Sequence, residues 1–286
     1  MRFSISVPTL NASETWPEFS AALKQQTARP DEVIVVDSSS KDDTPGTAAR
    51  DGFRVITIAR KDFRHGAVRQ LAAEQTASDV MVYLTQDALL ASNDAIAQLL
   101  RAFADPTVGA AYGRQLPRQG AGPIEAFARV FNYPESSHTS SAADIPERGF
   151  KTIFFSDSFG AYRMSALRKV GGFPLDVNFG EDTVVAARMI LSGWKTAYVA
   201  EAAVYHSHKH NLRQEYRRYK AIGELHARHA WMLENFGSAS PEGMRYMRSM
   251  IEYLACRTPH CIPEALALAF CKFAGYRVGR RTCSSQ

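Results

Sequence analysis

Two aspartates that each follow an apolar segment are the first sign of chemistry in this sequence. Asp37 ends the segment 32–37, and Asp87 follows the segment 80–85. Open α/β sheets bind ligands outside the carboxyl ends of their strands, so such strands place an acid at the ligand edge. Asp87 suits a hard cation such as Mg²⁺, which takes one or two carboxylates beside phosphate oxygens and water. Asp37 can accept a hydrogen bond from a nucleotide base. For both residues, a turn or helix-capping role is the alternative.

A third acidic position lies further along the chain. Glu181 and Asp182 follow Gly180 at the start of a predicted helix. Carboxylates in a first helical turn stabilise the helix dipole, which is one interpretation. The other is a general base at the edge of the site that takes a proton from a hydroxyl group.

Basic and imidazole side chains form two further groups. On an extended segment His206 and His208 face the same side, where imidazole can bind a metal or contact a phosphate. His65, Gly66 and Arg69 lie at a predicted helix start, a place that suits phosphate or carboxylate. Surface clusters of scattered charge are the alternative in both cases.

The elements that would position these residues alternate along the first ~115 residues. Val- and Ile-rich runs are separated by helix-like stretches over short connections, which predicts an α/β fold with a doubly wound, mostly parallel sheet. A strand-like run at 153–164 carries Ser156, Asp157 and Ser158 in its middle, and polar groups in such a run are either exposed or satisfied by a ligand. Short strands are predicted at 196–199 and 203–206, and a loop at 134–149.

The end of the chain differs from the rest in charge. Residues 209–286 hold 13 Lys and Arg against 6 Asp and Glu, a net charge of +7, so the remaining residues carry −2. Helices are predicted at 211–236, 242–256 and 264–276, so we divide the chain into a catalytic domain at 1–210 and a basic helical extension at 211–286. A basic extension favours an anionic partner, whereas a solvated helical face is the alternative.

Several classes of protein are not supported. The first residues hold no long apolar segment, so no secretory signal is expected, and no spanning helix is predicted. The four cysteines, all beyond residue 255, match no zinc spacing and predict reduced thiols in the cytoplasm. Neither of the common glycine-rich nucleotide motifs is present.

A set of short segments occurs in a fixed order: 6–11, 36–44, 63–70, 84–88, 171–173, 180–182 and 206–208. In this order they resemble the family 2 glycosyltransferases with the GT-A fold, and are most similar to the bacterial rhamnosyltransferases that build O-antigen and other surface polysaccharides. Two positions depart from the family pattern. Thr85 replaces the first acid of the D-x-D metal motif, as is common in the rhamnosyltransferase branch, and Gln70 stands where Asn is frequent.

The resemblance implies a role for each candidate residue. Asp182, helped by Glu181, would be the catalytic base, and Asp87 with His206 or His208 would hold Mg²⁺ or Mn²⁺. Asp157 and Ser158 are placed on the acceptor side. The nucleotide-sugar set is Pro8, Thr9, Asn11, Asp37, Ser39, His65, Gly66, Arg69 and Gln86.

The predicted function is inverting transfer of rhamnose from dTDP-rhamnose to a hydroxyl of a glycan on polyprenyl diphosphate. A peripheral position on the inner leaflet of the cytoplasmic membrane follows from the basic extension, in which Leu266, Phe270 and Phe273 share one helical face. No nucleic-acid partner is expected, and a homodimer is a further expectation. Alternatives are another donor, such as UDP-galactose or UDP-GlcNAc, and a non-catalytic nucleotide or RNA binder.

Overall fold

The central strands consist of β-branched and aromatic residues that are buried on both faces. Val33–Asp37 and Val80–Leu84 are buried along their whole length, as expected where helices cover both sides of a sheet. The computed structural model describes residues 1–177, 179–238 and 240–282. Its strands are β1 (Phe3–Thr9), β2 (Val33–Asp37), β3 (Arg54–Thr57), β4 (Val80–Leu84), β5 (Leu89–Leu90), β6 (Val108–Leu116), β7 (His138–Ser140), β8 (Phe159–Arg163) and β9 (Lys195–Tyr205).

These strands form one sheet in the order β3-β2-β1-β4-β8-β6-β9-β5, with β7 paired to β9. β1 is parallel to β2 and β4, β2 is parallel to β3, and β6 is parallel to β9. β8 runs antiparallel between β4 and β6. Parallel neighbours end at the same edge, and Thr9 of β1 lies opposite Asp37 of β2. This edge is where ligands bind in such sheets.

Helices cover the sheet and continue beyond it. Over the described residues they are α1 (Trp16–Lys24), α2 (Thr44–Arg50), α3 (His65–Gln75), α4 (Ala95–Leu100), α5 (Pro123–Asn132), α6 (Ile145–Arg148), α7 (Met164–Lys169), α8 (Glu181–Leu191), α9 (Leu212–Arg228), α10 (Ala230–Phe236), α11 (Ser240–Arg257) and α12 (Ile262–Thr282).

The structure corrects some predicted bounds. The two short strands predicted at 196–199 and 203–206 are one strand, β9, which crosses an irregularity in its pairing with β6 between Gly113 and Arg114. The predicted loop 134–149 contains β7 and α6. The helix predicted over 211–236 breaks at His229, whose backbone leaves the helical region at φ −111° and ψ 52°.

Apolar residues form one cluster on each side of the sheet and a smaller one beside it. α9 and α10 contribute Leu225, Met232 and Phe236 to one of the large clusters. The small cluster joins α5 to α11 and α12 through Phe127 and Leu254. The helices after residue 211 are therefore attached to the body in two different ways.

α9 and α12 lie backbone against backbone at three glycines. A Cβ atom at Gly223 would overlap the carbonyl of Tyr276, and one at Gly279 would overlap the carbonyl of Lys220. Gly275 is equally close to α9. Because glycine lacks a side chain, it permits this separation.

Across the described residues, no helix combines the length and the apolar character that crossing a bilayer requires. Cys256, Cys261 and Cys271 are free thiols. Cys283 lies outside the described residues.

Candidate functional site

The predicted nucleotide residues meet where β1 and β2 end. Thr9 Oγ1 donates a hydrogen bond to Asp37 Oδ1 at 3.1 Å, and the backbone N–H of Ser40 donates to Asp37 Oδ2 at 2.9 Å. Asn11 Oδ1 accepts a bond of 2.8 Å from the N–H of Lys41. The carboxylate of Asp37 is therefore fixed in place by its own chain at the ligand edge, beside Thr9, Asn11 and the preceding Pro8.

Two other predicted nucleotide residues shape the loops at this edge. Ser39 has a φ of 57° and its hydroxyl donates to the carbonyl of Ile58 at 2.7 Å. The side-chain amide of Gln86 accepts from the N–H of Leu10 at 2.7 Å and donates to its carbonyl at 3.2 Å. Gln86 thus joins the loop after β4 to the loop after β1.

Asp87 lies beside the two histidines that the sequence placed at a metal. His208 Nε2 is 3.0 Å from Asp87 Oδ2, and His206 Nε2 is 3.4 Å from Asp87 Oδ1. The two Nε2 atoms are 3.1 Å apart. Within the described residues, these three side chains form the one group of His, Cys, Asp and Glu able to hold a metal ion.

A buried amide orients His206. His206 Nδ1 lies 3.0 Å from Gln115 Oε1, and Gln115 Nε2 donates to Ser156 Oγ at 2.8 Å. Since the amide oxygen of Gln115 can only accept, we assign the proton of His206 to Nδ1. Its Nε2 then faces Asp87 and is the nitrogen available to a metal, the arrangement that metal-binding histidines use.

The electrostatics of this cluster fit a cation. Burial would raise the pKa of Asp87, but the neighbouring His206 and His208 outweigh it, and the pKa lies well below its ordinary value. Asp87 Oδ1 is buried and has no hydrogen-bond partner. An ionised carboxylate with one unsatisfied oxygen beside two imidazole nitrogens is a donor set that fits a divalent metal.

Asp182 occupies a very different environment at the start of α8. Its Oδ1 accepts from the N–H of Thr183 at 2.7 Å and its Oδ2 from the N–H of Asp157 at 3.3 Å. Burial and the neighbouring Glu181 raise the pKa of Asp182 to about 6. A carboxylate with a pKa in this range can accept a proton near neutral pH.

Arg69 joins two buried acids beneath Asp182. It forms an ion pair with Glu181, and its Nε lies 3.1 Å from Asp157 Oδ2. Tyr162 donates to the other oxygen of Asp157 at 2.8 Å. Asp157 is 1% exposed and Glu181 5% exposed, so both acids lie inside the protein and not on an open surface.

A series of contacts connects the metal cluster to Asp182. The series of contacts runs from His206 through Gln115 to Ser156, and the next residue, Asp157, donates its N–H to Asp182. The segment 156–158 therefore spans the distance between the two acids. Ser158 is half-buried on this segment, and its carbonyl accepts from the N–H of Thr85 at 3.3 Å.

The start of α3 closes the same region from the other side. A Cβ atom at Gly66 would overlap the carbonyl of Pro174, and the N–H of Gly66 donates to the carbonyl of Val177 at 3.3 Å. Burial and Arg69 lower the pKa of His65 to about 4, so this imidazole is neutral at pH 7.

Sequence reasoning noted Ser156 only as one of three polar residues in a strand-like run, and it missed Gln115, which connects Ser156 to His206. Gln115 lies near the end of β6 and is 4% exposed. A polar residue at the end of a buried strand was the available signal.

With this geometry in place, the chain can be compared with known proteins. A model described as glycosyl transferase family 2 matches residues 4–171. The chain is 45% identical over 98% of its length, and 90% of the relative's, to the O-antigen chain rhamnosyltransferase RfbN of Salmonella typhimurium. It is 43% identical to WbaN of Salmonella anatum, which has the same description, over 97% of this chain and 89% of that one. The chain belongs to glycosyl transferase family 2.

Solved structures agree on the fold. The mannosyltransferase PcManGT from Pyrobaculum calidifontis, determined with GDP-Man and Mn²⁺, has a TM-score of 0.62 at 20% identity and covers 99% of this chain and 84% of its own. S. aureus TarS residues 1–349 reach 0.61 at 16% identity, with 100% and 92% covered. The predicted GT-A fold and the predicted glycosyltransferase family are confirmed.

Proposed function

We propose that this family 2 glycosyltransferase transfers rhamnose, with inversion, from dTDP-rhamnose to a hydroxyl of a growing O-antigen glycan. Two relatives above 40% identity carry the name O-antigen chain rhamnosyltransferase. The observation that carries the mechanism is the series of contacts that connects the Asp87 cluster to Asp182. We infer that the cluster provides a position for the donor diphosphate and that Asp182 provides one for the acceptor hydroxyl.

For the donor, we propose that the base contacts Asp37 and the loop residues Asn11 and Ser39, with Pro8 and Thr9 forming the floor. Gln86 and Gly66 set the shape of the pocket: Gln86 fixes the first loop, and Gly66 allows the 174–177 loop to approach α3. His65, neutral at pH 7 by its lowered pKa, would face the sugar side.

For the metal, Asp87, His206 and His208 would be the protein ligands. Two imidazoles beside a single carboxylate favour Mn²⁺ over Mg²⁺, because Mg²⁺ prefers oxygen ligands. A bound ion would neutralise the charge that develops on the leaving diphosphate. Gln115 holds His206 in the binding tautomer.

For the base, Asp182 would take the proton from the acceptor hydroxyl. The hydroxyl oxygen forms a bond to the anomeric carbon as the bond from that carbon to the diphosphate oxygen breaks on the opposite face. Glu181 supports this step through charge, since it raises the pKa of Asp182. Arg69 and the buried Asp157 would position Asp182, while Ser158 lies nearer the acceptor.

A donor panel tests this function. The purified protein with Mn²⁺ is incubated separately with dTDP-rhamnose, GDP-mannose, UDP-galactose and UDP-GlcNAc, and nucleoside diphosphate release is measured. We expect release from dTDP-rhamnose above all others. Preference for a UDP-sugar would overturn the donor assignment, and salt-sensitive RNA binding without any release would favour a non-catalytic binder.

We further propose that the acceptor glycan is carried on polyprenyl diphosphate and that α12 lies on the inner leaflet. Leu266, Phe270 and Phe273 are 49%, 71% and 62% exposed on α12. Arg277 covers the ring of Phe273 at 5.6 Å. An exposed apolar row flanked by cations suits an anionic membrane surface.

Liposome sedimentation tests the membrane proposal. Replacement of Phe270 and Phe273 by Ser should abolish sedimentation with anionic vesicles, while Met244→Ser, an equally exposed site on α11, should leave it unchanged. Equal binding of all three proteins would contradict the assignment. We also propose that the boundary between residues 210 and 211 separates two functions. Residues 1–210 would bind the donor, and residues 211–286 would bind the lipid carrier of the acceptor.

A further inference from the structure

Two arginines, one on α5 and one on α9, lie within electrostatic range of each other, and one of them lacks a hydrogen-bond partner. Arg129 is half-buried on α5, and its Nε is buried without a hydrogen-bond partner. Among the described residues it makes no ion pair within 4.0 Å. Arg218 lies on α9 with its guanidinium 5.2 Å from the ring of Phe179. Its side chain is 42% exposed, so a ligand can reach it.

Positive charge exceeds negative charge around these arginines. Glu215 is the nearest acid to Arg218, at 3.8 Å, but it also lies 3.7 Å from Lys272 and 2.8 Å from His210. One carboxylate is therefore shared between Arg218 and Lys272. Glu125, one turn before Arg129, acts on it only from beyond ion-pair distance.

Each arginine of this basic cluster, Arg129 and Arg218, neighbours a residue close to the candidate site. Arg218 lies over the ring of Phe179, three positions before the proposed base. Arg129 lies one turn before Tyr133, whose N–H donates to the carbonyl of Arg129 at 2.9 Å. Both arginines act electrostatically on Tyr133, which Asp182 also influences.

A half-buried guanidinium without a partner is costly, and such groups concentrate where a ligand supplies the missing contact. Phosphate oxygens match the planar fork of arginine and accept two bonds from it. Like-charge proximity between Arg129 and Arg218 would be relieved by an anion between them. Burial lowers the pKa of Arg129, which agrees with a site that lacks its counter-charge.

We propose that Arg129 and Arg218 bind a diphosphate group at the mouth of the site, a role that rests on the proposed transferase function. The cleft offers two sources of this chemistry. One is the leaving diphosphate of the donor, and the other is the diphosphate that links the acceptor glycan to its carrier.

The test compares three matched variants: Arg129→Gln, Arg218→Gln and, as control, Arg217→Gln. Arg217 is exposed next to Arg218 on α9, so its loss changes the charge equally without touching the cluster. Titration calorimetry measures binding of dTDP with Mn²⁺ in one arm and of farnesyl diphosphate in the other. Loss of a charge-assisted bond should weaken binding about tenfold or more.

Each result assigns a source or rejects the site. If both variants weaken dTDP alone, the arginines hold the donor diphosphate, and if they weaken farnesyl diphosphate alone, they hold the carrier. If neither ligand binds more weakly than to Arg217→Gln, the proposal is overturned. If the unaltered protein releases no nucleotide from any sugar donor yet loses diphosphate binding on Arg129→Gln, the transferase function fails and this site stands.

A stability measurement separates binding from structural support. Removing an unpartnered half-buried charge should leave the melting temperature of unliganded Arg129→Gln equal to or above that of the unaltered protein. The stabilisation by diphosphate should shrink in the same variant. A lower melting temperature combined with unchanged ligand stabilisation would mean that Arg129 is structural.

Discussion

Asp87 and Asp182 are the same residue type placed in opposite environments. The neighbouring His206 and His208 hold the pKa of Asp87 well below its usual range, whereas burial and Glu181 raise that of Asp182 to about 6. The first therefore stays charged and suits a cation, and the second can exchange a proton near neutral pH. Two carboxylates whose pKa values are driven apart indicate a division of labour.

Replacing Asp182 should have the largest effect. Asp182→Asn removes the proposed base with little change in side-chain volume, so we expect turnover to fall at least ~10³-fold while dTDP affinity changes less than about twofold. Single-turnover assays and calorimetry measure the two quantities. Asp176→Asn, an exposed carboxylate on the preceding loop, is the control. Parallel losses of turnover and donor binding would contradict the assigned role.

Replacing Asp87 should have the next largest effect, a loss of metal binding. Asp87→Asn removes the one charged metal ligand, and we expect Mn²⁺ affinity to fall about 100-fold, measured by electron paramagnetic resonance of free Mn²⁺. The control is Asp62→Asn, which replaces an exposed acid outside the metal cluster. This variant should bind Mn²⁺ as the unaltered protein does. Unchanged Mn²⁺ binding by Asp87→Asn would mean that the cation does not bind at Asp87.

Gln115 allows a finer test of the metal cluster. Gln115→Leu leaves all three ligands but frees His206 to rotate and change tautomer, so Mn²⁺ affinity should fall about tenfold. Gln98→Leu, on α4, serves as the control. An effect as large as that of Asp87→Asn would mean that Gln115 does more than orient His206.

The pH dependence should show the smallest change. The base acts as a carboxylate, so at saturating Mn²⁺ the rate should fall about tenfold per pH unit below pH 6 and level off above it. Glu181→Gln removes a negative neighbour, which lowers the pKa of Asp182, so the fall in rate should begin at a lower pH. If the rate of this variant falls at the same pH as that of the unaltered protein, a group other than Asp182 controls the pH dependence.

The sequence predicted the parts of the site that depend on strand ends. Asp37 and Asp87 were found because each comes at the end of an apolar run, and His206 and His208 because alternate residues of an extended segment face one side. Periodicity could not reveal that Glu181 turns inward to Arg69, since both acids at a helix start look alike in sequence. Arg129 and Arg218 were missed because they lie 89 positions apart on different helices and no sequence pattern relates them.

The three glycines between α9 and α12 have a consequence for the chemistry. α9 begins just after the histidine segment, and its Leu225 occupies the space where Gly180 would carry a side chain, one turn from the proposed base. A methyl group added at Gly223 or Gly279 would wedge the two helices apart and shift both ends of α9 together. An alanine at position 279, nearly a hundred positions from Asp182, would then reduce catalysis, although it contacts neither substrate nor metal.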